Sequence, residues 1–337
     1  MQEIDFVITY LDGNDPVWQE EKRRYQPPQN ADAGSNRYRN WDNLRYFFRG
    51  VQQFAPWVRK IHFITCGHVP EWLDTSNKKL NIVRHKDYLP KEWLPTFSSR
   101  CIDMNLHRIK ELSEHFVYFN DDMFLLKPCD VKDFFYRGLP RDCAILEPSV
   151  LRKRKAAALY LAPLIGTAAI NSHFSKNKVI RSAPHKWFNP AYGRFNISTL
   201  FLMPYKDFAG FRPMHLPYSY LKSTYRTVWK AEPELCEAAS LHKFRCPDDI
   251  NHLIFSYWQF ATGRFYPRNV WSGKNCYIRN KKDADEAAEN IMRRSCKMIC
   301  LNDNIDDEAD AEYIVKRVNA ALDRLLPDKS SFEKSVN

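Results

Sequence analysis

Short apolar segments with strand character alternate with segments of helical spacing through the first 120 residues of this chain. The strand-like segments are rich in aromatic and β-branched residues, and the helical ones carry apolar residues on one face. Such an alternation predicts βαβ units and a largely parallel sheet, so we expect an α/β, Rossmann-like fold. The strand-like segments cover residues 4–10, 61–65, 81–84 and 116–119, and the helical ones cover 42–54 and 101–115.

The last of these strands runs directly into a pair of acids, in the sequence FVYFNDDMFLL at 116–126. Adjacent carboxylates at the end of a buried strand repel each other and are costly to desolvate unless a cation neutralises them. A hard divalent cation held by one or two carboxylates commonly completes its shell with substrate phosphate oxygens. Asp121 and Asp122 are therefore predicted to hold Mg²⁺ or Mn²⁺, while a simple Asn-Asp-Asp turn explains the same residues equally well.

The composition is that of a folded protein with a strong positive charge. A chain of 337 residues can form one large α/β domain or two smaller ones. Hydrophobic residues make up 44% and aromatic residues 14%, which excludes a disordered chain. The net charge of +11 favours acidic partners such as nucleotides, anionic glycans, nucleic acid or an anionic membrane, and it does not choose among them.

The beginning of the chain and its cysteines give an expectation about location. The first residues, MQEIDFVITY, already form a strand and lack the basic and apolar regions of a signal peptide. No run of 18 or more apolar residues is present, so we expect no transmembrane helix. The nine cysteines are odd in number and include no CxxC pair, which favours buried, reduced thiols in a cytoplasmic protein.

The sequence has no glycine-rich phosphate-binding motif, neither GxGxxG nor GxxxxGK[ST]. Any nucleotide is therefore expected to be bound by carboxylates, a metal and basic side chains. The turn from Asp12 to Asp15 follows the first strand, where α/β proteins bind ligands, although turn chemistry alone also accounts for it. Ser98 and Ser99 precede a helical segment, and an N-cap role would explain either serine.

The second half of the chain is predicted to be mainly helical. Residues 151–170 join a basic start, 152–155, to an Ala/Leu-rich stretch, for which a buried helix is favoured over a helix lying on an anionic membrane. His215 lies in a loop bounded by prolines, where a lone histidine is more often structural than catalytic. Arg245 precedes a helix start and could bind a phosphate in a bidentate manner. Asp303 follows another apolar strand.

Four blocks of sequence, separated by variable segments, form a recognisable series. They are IDFVITYLDGNDPVW; RYRNWDNLRYFFRGVQQFAPWVRKIHFITCGHVPEWL, continuing to VYFNDDMFL; HLPYSYLKS with SLHKFRCPDDINHLIFSYWQ; and CLNDNIDD with PDKSSFEK. In this order the blocks resemble the four conserved regions of the Stealth family, the hexose-1-phosphoryltransferases of bacterial capsule synthesis. The catalytic subunit of the lysosomal N-acetylglucosamine-1-phosphotransferase is an animal relative of that family.

The resemblance implies a nucleotide-sugar fold related to the GT-A glycosyltransferases, with a mostly parallel central sheet and a helical second half. We expect one catalytic domain over 1–337, made of a nucleotide- and metal-binding part (1–150), a helical, acceptor-side part (151–285) and a returning strand and helix (286–337). The implied reaction transfers a sugar 1-phosphate from a nucleotide diphosphate sugar, such as a UDP-hexose or UDP-N-acetylhexosamine, to a glycan hydroxyl. A phosphodiester forms, and UMP leaves when the donor is a UDP-sugar.

By position, the resemblance assigns Asp121, His215 and Arg245 to catalysis, and it implies a divalent metal, Mg²⁺ or Mn²⁺. Asp5 and Asp303 match acids of the first and fourth regions. We expect Asp303 to join the acidic pair as a metal ligand, so that the predicted metal site is Asp121, Asp122 and Asp303. The candidates for nucleotide and sugar contacts are Asp5, Asp12, Asp15, Arg45 and Ser98.

The expected partners are a nucleotide-sugar donor and a glycan or lipid-linked glycan acceptor. Peripheral contact with an anionic membrane, at its cytoplasmic face, is a further expectation, and nucleic acid is not. The main alternative is a metal-dependent GT-A glycosyltransferase, which attacks the anomeric carbon and releases UDP. A basic module that only binds nucleic acid or anionic glycan leaves the acidic strand ends unexplained.

Overall fold

A computed structural model describes residues 3–25, 39–150 and 157–335 of the chain. The strands within these ranges are β1 (Ile4–Tyr10), β2 (Ile61–Thr65), β3 (Leu80–Arg84), β4 (His115–Phe119), β5 (Met123–Leu125), β6 (Phe135–Tyr136), β7 (Leu139–Asp142), β8 (Tyr218–Leu221), β9 (Tyr266–Pro267), β10 (Gly273–Ile278) and β11 (Met298–Asp303). The helices are α1 (Pro16–Tyr25), α2 (Leu44–Phe54), α3 (His85–Tyr88), α4 (Ser99–Met104), α5 (Val131–Phe134), α6 (Ala157–His173), α7 (Lys176–Ser182), α8 (Pro184–Trp187), α9 (Asn196–Phe201), α10 (Lys222–Ala231), α11 (Pro233–Leu241), α12 (Leu253–Ala261), α13 (Lys281–Met292) and α14 (Ala311–Leu325).

The largest sheet has five strands in the order β3-β2-β1-β4-β8. Its first four strands run parallel to one another, and the edge strand β8 is antiparallel to β4. The prediction of a mostly parallel α/β sheet is therefore confirmed. The chain order reverses at β1, because β2 and β3 lie on one side of it and β4 lies on the other. In open α/β sheets such a reversal creates a crevice at the carboxyl ends of the strands, where ligands bind.

A second sheet meets the first at the carboxyl end of β4. Its strands have the order β10-β11-β5, with β11 parallel to β10 and antiparallel to β5. Residues 120–122 form the whole connection between β4 in the first sheet and β5 in the second. The acidic pair therefore lies at the junction of two sheets, beside the end of β11. Strands β6, β7 and β9 form a third, smaller sheet.

Aromatic side chains fix the end of β4 from inside the core. The ring centroid of Phe119 lies 4.8 Å from that of Phe6 in β1 and 5.2 Å from that of Phe47 in α2. One cluster of buried hydrophobic residues extends from Ile4 to Phe332 and includes side chains of α6, β11 and α14. The strand that leads to the acidic turn is thus packed against elements from both halves of the chain.

The helix predicted for residues 101–115 is wrong in its length. In the structure α4 ends at Met104, and a short 3₁₀ turn follows it. The side-chain amide of Asn105 donates to the carbonyl of Cys101 (2.8 Å) and to the hydroxyl of Ser240 (2.9 Å). The second of these partners comes from α11, so the end of the helix is set by a tertiary contact that helical spacing does not reveal.

The second half is mainly helical, as predicted, with α6 to α12 between residues 157 and 261. The basic run at 152–155 lies outside the described residues. Among the described residues, no helix combines the length and the apolar character that crossing a membrane requires. All nine cysteines are free thiols, and most of them are buried.

Candidate active site

The acidic turn at 120–122 is held in place by β11. The backbone N–H of Leu301 donates to the carbonyl of Asp122 (2.8 Å), and the thiol of Cys300 donates to Oδ2 of Asp122 (3.2 Å). The other carboxylate oxygen, Asp122 Oδ1, is buried and has no hydrogen-bond partner among the described residues. A buried carboxylate oxygen without a donor is unfavourable, so this atom is suited to a cation or a ligand.

Asp121 lies beside Asp122 and opens to the crevice. Loss of water contact and then the charge of Asp122 raise the pKa of Asp121 to about 7, against the opposing effect of Arg245. Asp121 is exposed at the surface, and the adjacent Asp122 is the negative charge that repels its carboxylate. A cation bound at both carboxylates would offset this repulsion and favour the ionised state of Asp121.

The pairing of β8 with β4 brings His215 to the acidic pair. Tyr218 pairs with Tyr118 in an antiparallel register; His215 precedes Tyr218 by three residues, and Asp121 follows Tyr118 by three. Nε2 of His215 lies 3.9 Å from Oδ2 of Asp122. The backbone φ of His215 is +49°, in the left-handed region that a residue with a side chain rarely adopts. Such strain often accompanies residues that are held for function.

Hydrogen bonds define the state of the His215 ring. Asn304 donates to the amide oxygen of Asn302, which leaves the amide nitrogen of Asn302 facing Nε2 of His215 at 3.1 Å. Since that nitrogen can only donate, Nε2 is the acceptor, and Nδ1 carries the proton toward the hydroxyl of Tyr218 at 3.3 Å. In this network Nε2, the ring nitrogen on the side of Asp122, is the hydrogen-bond acceptor.

Arg245 comes from the loop between α11 and α12, which packs on the loop before α4. The rings of Phe97 and Phe244, one from each loop, stack with centroids 5.1 Å apart. Nη2 of Arg245 donates to the hydroxyl of Ser99 (2.6 Å) at the start of α4. The guanidinium lowers the pKa of Asp121 and so lies within its electrostatic reach.

Two buried groups lie between these residues. Burial, followed by the charges of His215 and Arg245, lowers the pKa of His252 to about 3, so this histidine stays neutral. Burial raises the pKa of Asp103 to about 7, while a hydrogen bond from the Tyr118 hydroxyl (2.7 Å) and the charge of Arg245 oppose the increase. Arg245 therefore lies within electrostatic reach of Asp121, Asp103 and His252, and His215 lies within reach of His252.

The groups at the crevice fit a divalent cation. Asp121 and Asp122 offer carboxylate oxygens, one of them buried without a partner, and oxygen ligands are those that Mg²⁺ and Mn²⁺ prefer. Asp122, His215 and Cys300 also bring ligand atoms within 4.8 Å of one another. However, burial and the neighbouring Asp122 raise the pKa of the Cys300 thiol well above its usual value, so the thiol stays protonated and oxygen ligation is the better match.

Two protein-family models match segments of the chain that contribute to the crevice. The model of Stealth protein conserved region 2 matches residues 37–141, which include the acidic turn, and that of conserved region 4 matches residues 289–337, which include β11. The chain is also 39% identical to the capsular polysaccharide phosphotransferase WcwK of Streptococcus pneumoniae, over 99% of each protein. The chain belongs to the Stealth family.

Other Stealth proteins are similar over a comparable length. The receptor polysaccharide phosphotransferase WefC of Streptococcus oralis is 36% identical, with 99% of this chain and 100% of that protein covered. The exopolysaccharide phosphotransferase cps2G of Lactiplantibacillus plantarum is 33% identical, with 98% of this chain and 96% of that protein covered. The similarity thus spans all the segments that contribute to the crevice.

In this Stealth chain Asp5 does not belong to the crevice. It pairs with Phe116 near the start of β4, at the opposite end of the sheet from the acidic turn. Its buried carboxylate accepts hydrogen bonds from Nε of Arg59 (2.8 Å) and the backbone N–H of Ser113 (2.8 Å), and it lies 3.0 Å from Nε2 of His62. The structure therefore does not support the predicted nucleotide contact and gives Asp5 a structural role instead.

Asp303 lies at the same end of the sheet as the acidic turn, but its carboxylate oxygens already accept hydrogen bonds. Nη1 of Arg39 donates to both of them (3.0 and 2.9 Å), and Nε1 of Trp41 donates to Oδ2 (3.0 Å). The structure therefore does not join Asp303 to Asp121 and Asp122 as a third metal ligand. Its carboxylate fixes the segment that begins at Arg39 beside the crevice.

The two predicted aspartates of the turn after β1, Asp12 and Asp15, have different surroundings. Burial is the largest cause that raises the pKa of Tyr10 to about 12, and the negative charges of Asp12, Asp42 and Asp121 add to it. Asp12 and Asp121 therefore both lie near Tyr10. Asp15 instead caps α1, because its carboxylate accepts the backbone N–H of Trp18 at 2.7 Å.

Arg45 and Ser98 lie at helix starts. Arg45 is in the first turn of α2, 3.4 Å from the Asp42 carboxylate and over the ring of Trp72, and its Nε is buried without a partner among the described residues. Ser98 is fully buried and makes no capping bond with its side chain. The predicted substrate contact of Ser98 is not supported, because Arg245 donates its hydrogen bond to the hydroxyl of the neighbouring Ser99.

Sequence reasoning missed Asn302, Tyr218 and Ser99 as parts of the site. Asn302 and Asp303 follow the apolar run of β11, which is a usable signal, although only the structure shows which of the two side chains faces His215. Nothing in the sequence marks Tyr218 as part of the site, because its contact with His215 depends on the register of β8.

We predict that Asp5→Asn destabilises the protein without altering the crevice. Removing one partner of a buried charged network typically costs about 3–5 kcal/mol. Burial alone would raise the pKa of Asp5, but its bonds to His62 and Arg59 lower it overall. The stabilisation is therefore present above the unfolded pKa of about 3.9 and is lost as the pH falls through the lower, folded value. Urea unfolding at pH 7 and pH 3 measures the effect.

The matched control for this variant is Glu3→Gln, because Glu3 is exposed and lies 3.8 Å from the same Arg59. It should unfold like the wild type. An Asp5→Asn protein of unchanged stability that had lost nucleotide binding would restore the predicted role of Asp5.

Proposed function

We propose that this Stealth chain transfers a sugar 1-phosphate from a nucleotide diphosphate sugar, such as a UDP-hexose or UDP-N-acetylhexosamine, to a glycan hydroxyl during capsular or exopolysaccharide synthesis. The observation that carries the proposal is the convergence of Asp121, Asp122, His215 and Arg245 on one crevice at the strand ends. Near full-length similarity to relatives named capsular and exopolysaccharide phosphotransferases supports it.

In the proposed reaction the acceptor oxygen attacks the β-phosphorus of the donor. A new bond forms between the acceptor oxygen and phosphorus, and the bond from phosphorus to the oxygen shared with the α-phosphate breaks. With a UDP-sugar, UMP leaves with that oxygen and the sugar keeps its own bond to the phosphate, so the product is a phosphodiester. Phosphoryl transfer of this kind depends mainly on positioning and on stabilising negative charge.

His215 removes the proton of the acceptor hydroxyl. Its Nε2 carries the lone pair and its Nδ1–H is directed at Tyr218, which fixes the ring for this step. Imidazole is suited to proton removal near neutral pH. The acceptor hydroxyl would replace the amide of Asn302 at Nε2.

Arg245 and a metal at the acidic pair would supply positive charge to the diphosphate. Arg245, oriented by its hydrogen bond to Ser99, stabilises the charge on the transferring phosphoryl group. Asp121 and Asp122 would hold Mg²⁺ or Mn²⁺, which would neutralise diphosphate charge. The Asp12 turn and Arg45 are candidates for nucleotide contacts, in a fold that we relate to the GT-A glycosyltransferases.

A metal-dependent glycosyltransferase is the second candidate function, because the same carboxylates and metal would hold the same donor. It would attack the anomeric carbon of the sugar and release UDP. The names of the near full-length relatives favour phosphotransfer.

The released nucleotide separates the two functions. We predict that a panel of UDP-sugars, incubated with the protein, Mg²⁺ and an oligosaccharide acceptor, yields UMP with at least one donor, measured by nucleotide chromatography. Omitting the acceptor is the control for donor hydrolysis. Stoichiometric UDP without UMP would favour the glycosyltransferase.

Replacing His215 or Arg245 by Ala should lower kcat by about 100-fold or more, since each supplies charge or proton transfer in the transition state. Both side chains are only partly buried, so the melting temperature should stay close to that of the wild type. The matched controls are His185→Ala and Arg293→Ala on exposed helix surfaces, which should retain full activity. Full activity in either crevice variant would remove that residue from the scheme.

Metal binding should depend on Asp122 and not on Asp303. We expect Asp122→Asn to weaken Mn²⁺ binding by at least about tenfold, because it removes a ligand charge. Asp303→Asn should leave the affinity unchanged, because Arg39 and Trp41 already use its oxygens. Paramagnetic resonance titration of free Mn²⁺ measures both without an activity assay. Equal losses of Mn²⁺ affinity in the two variants would contradict this and support a site in which Asp121, Asp122 and Asp303 all bind the metal.

A further inference from the structure

A group of large apolar side chains projects from the surface at α9 and the turn that follows it. We call residues 196–205 the apolar knob. Its exposed members are Ile197 (57% exposed), Leu200 (63%), Phe201 (76%) and Tyr205 (61%). Single exposed apolar residues need no explanation, but four within nine residues indicate a surface that binds another apolar surface.

The apolar knob is built on a rigid base. The ammonium group of Lys176 is buried beneath it and donates to the carbonyls of Leu202 (2.7 Å), Met203 (3.0 Å) and Tyr205. On the inner face of α9, the hydroxyl of Thr199 accepts the backbone N–H of Leu146 (3.1 Å). The exposure of the apolar side chains is therefore a fixed feature and not the consequence of a loose segment.

The sequence segment that contains the apolar knob carries most of the formal positive charge of the chain. Residues 151–210 contain ten Lys or Arg residues and a single acid, Asp207, which is a formal charge of +9 out of the total of +11. Four basic side chains of this segment are exposed and form no ion pair with an acid of the described residues. They are Lys178, Arg181, Arg194 and Lys206. Four more basic residues, 152–155, follow shortly after Val150, which is itself 59% exposed.

From this combination we propose that the apolar knob docks on the surface of an anionic lipid bilayer. Its apolar side chains enter the boundary between headgroups and acyl chains, and the basic side chains meet lipid phosphates. A second copy of this chain fits the surface less well, because pairing two such knobs would bring two strongly positive segments together. The inference does not depend on the reaction proposed above.

A small hydrophobic core connects the apolar knob to the loop that carries His215. Phe195, just before α9, and Met214, just before His215, pack against the same small core around Tyr192. The base of the apolar knob and the loop that carries His215 are therefore joined through one hydrophobic core.

Vesicle flotation tests the proposal with purified protein. We expect binding to vesicles of equal parts phosphatidylglycerol and phosphatidylcholine, and weak binding to pure phosphatidylcholine or at high salt. The double variant Leu200→Ser/Phe201→Ser should bind the anionic vesicles about tenfold or more weakly, because two exposed apolar groups are lost. The matched control Val17→Ser/Leu241→Ser removes exposed apolar groups elsewhere and should bind like the wild type.

The charge component is tested in the same assay. Lys178→Glu/Arg181→Glu should also lose most of the binding, whereas Lys86→Glu/Lys91→Glu, at exposed positions outside the segment, should lose little. Equal vesicle binding by the wild type and Leu200→Ser/Phe201→Ser would overturn the proposal. So would a wild-type dimer in sedimentation that becomes monomeric in this variant, because the knob would then be covered by a second copy.

Discussion

The repulsion between two adjacent carboxylates is the constraint on which the crevice depends. Asp121 and Asp122 cannot move apart, because the turn that carries them joins β4 in one sheet to β5 in another and is bonded to β11. Such a pair is stable only beside positive charge, and Arg245 and a metal can supply it. In the function that we propose, a bound metal would offset the repulsion and also hold the nucleotide diphosphate, so an arrangement that is unfavourable in the protein alone would suit the loaded site.

The crevice is assembled from segments that are far apart in the sequence. Contacts between Asp122 and Cys300, between His215 and Asn302, and between Ser99 and Arg245 join the first half of the chain to the second and to its end. Each contact depends on a strand register or on the packing of two loops. This organisation explains why the crevice requires both the parallel sheet and the helical half of this Stealth chain.

The parts of the structure that were predictable are those with a local cause. β1 and β2 have their predicted bounds, because runs of apolar and β-branched residues mark them. The acidic turn at Asp121 is visible as charge after a buried strand. Asp5 and Asp303 were assigned differently from what the structure supports. A sequence shows an acid on a strand, but not at which end of the sheet it lies or whether an arginine already binds it.

The central claim is that phosphorus, and not the anomeric carbon, is the atom attacked. An oxygen-18 label in the oxygen between the anomeric carbon and the β-phosphorus of the donor tests it most directly. Phosphoryl transfer keeps the label in the glycan product, because the bond from sugar to phosphate is never broken, and mass spectrometry of the product should show it there. Recovery of the label in released UDP, with none in the glycan, would contradict the account.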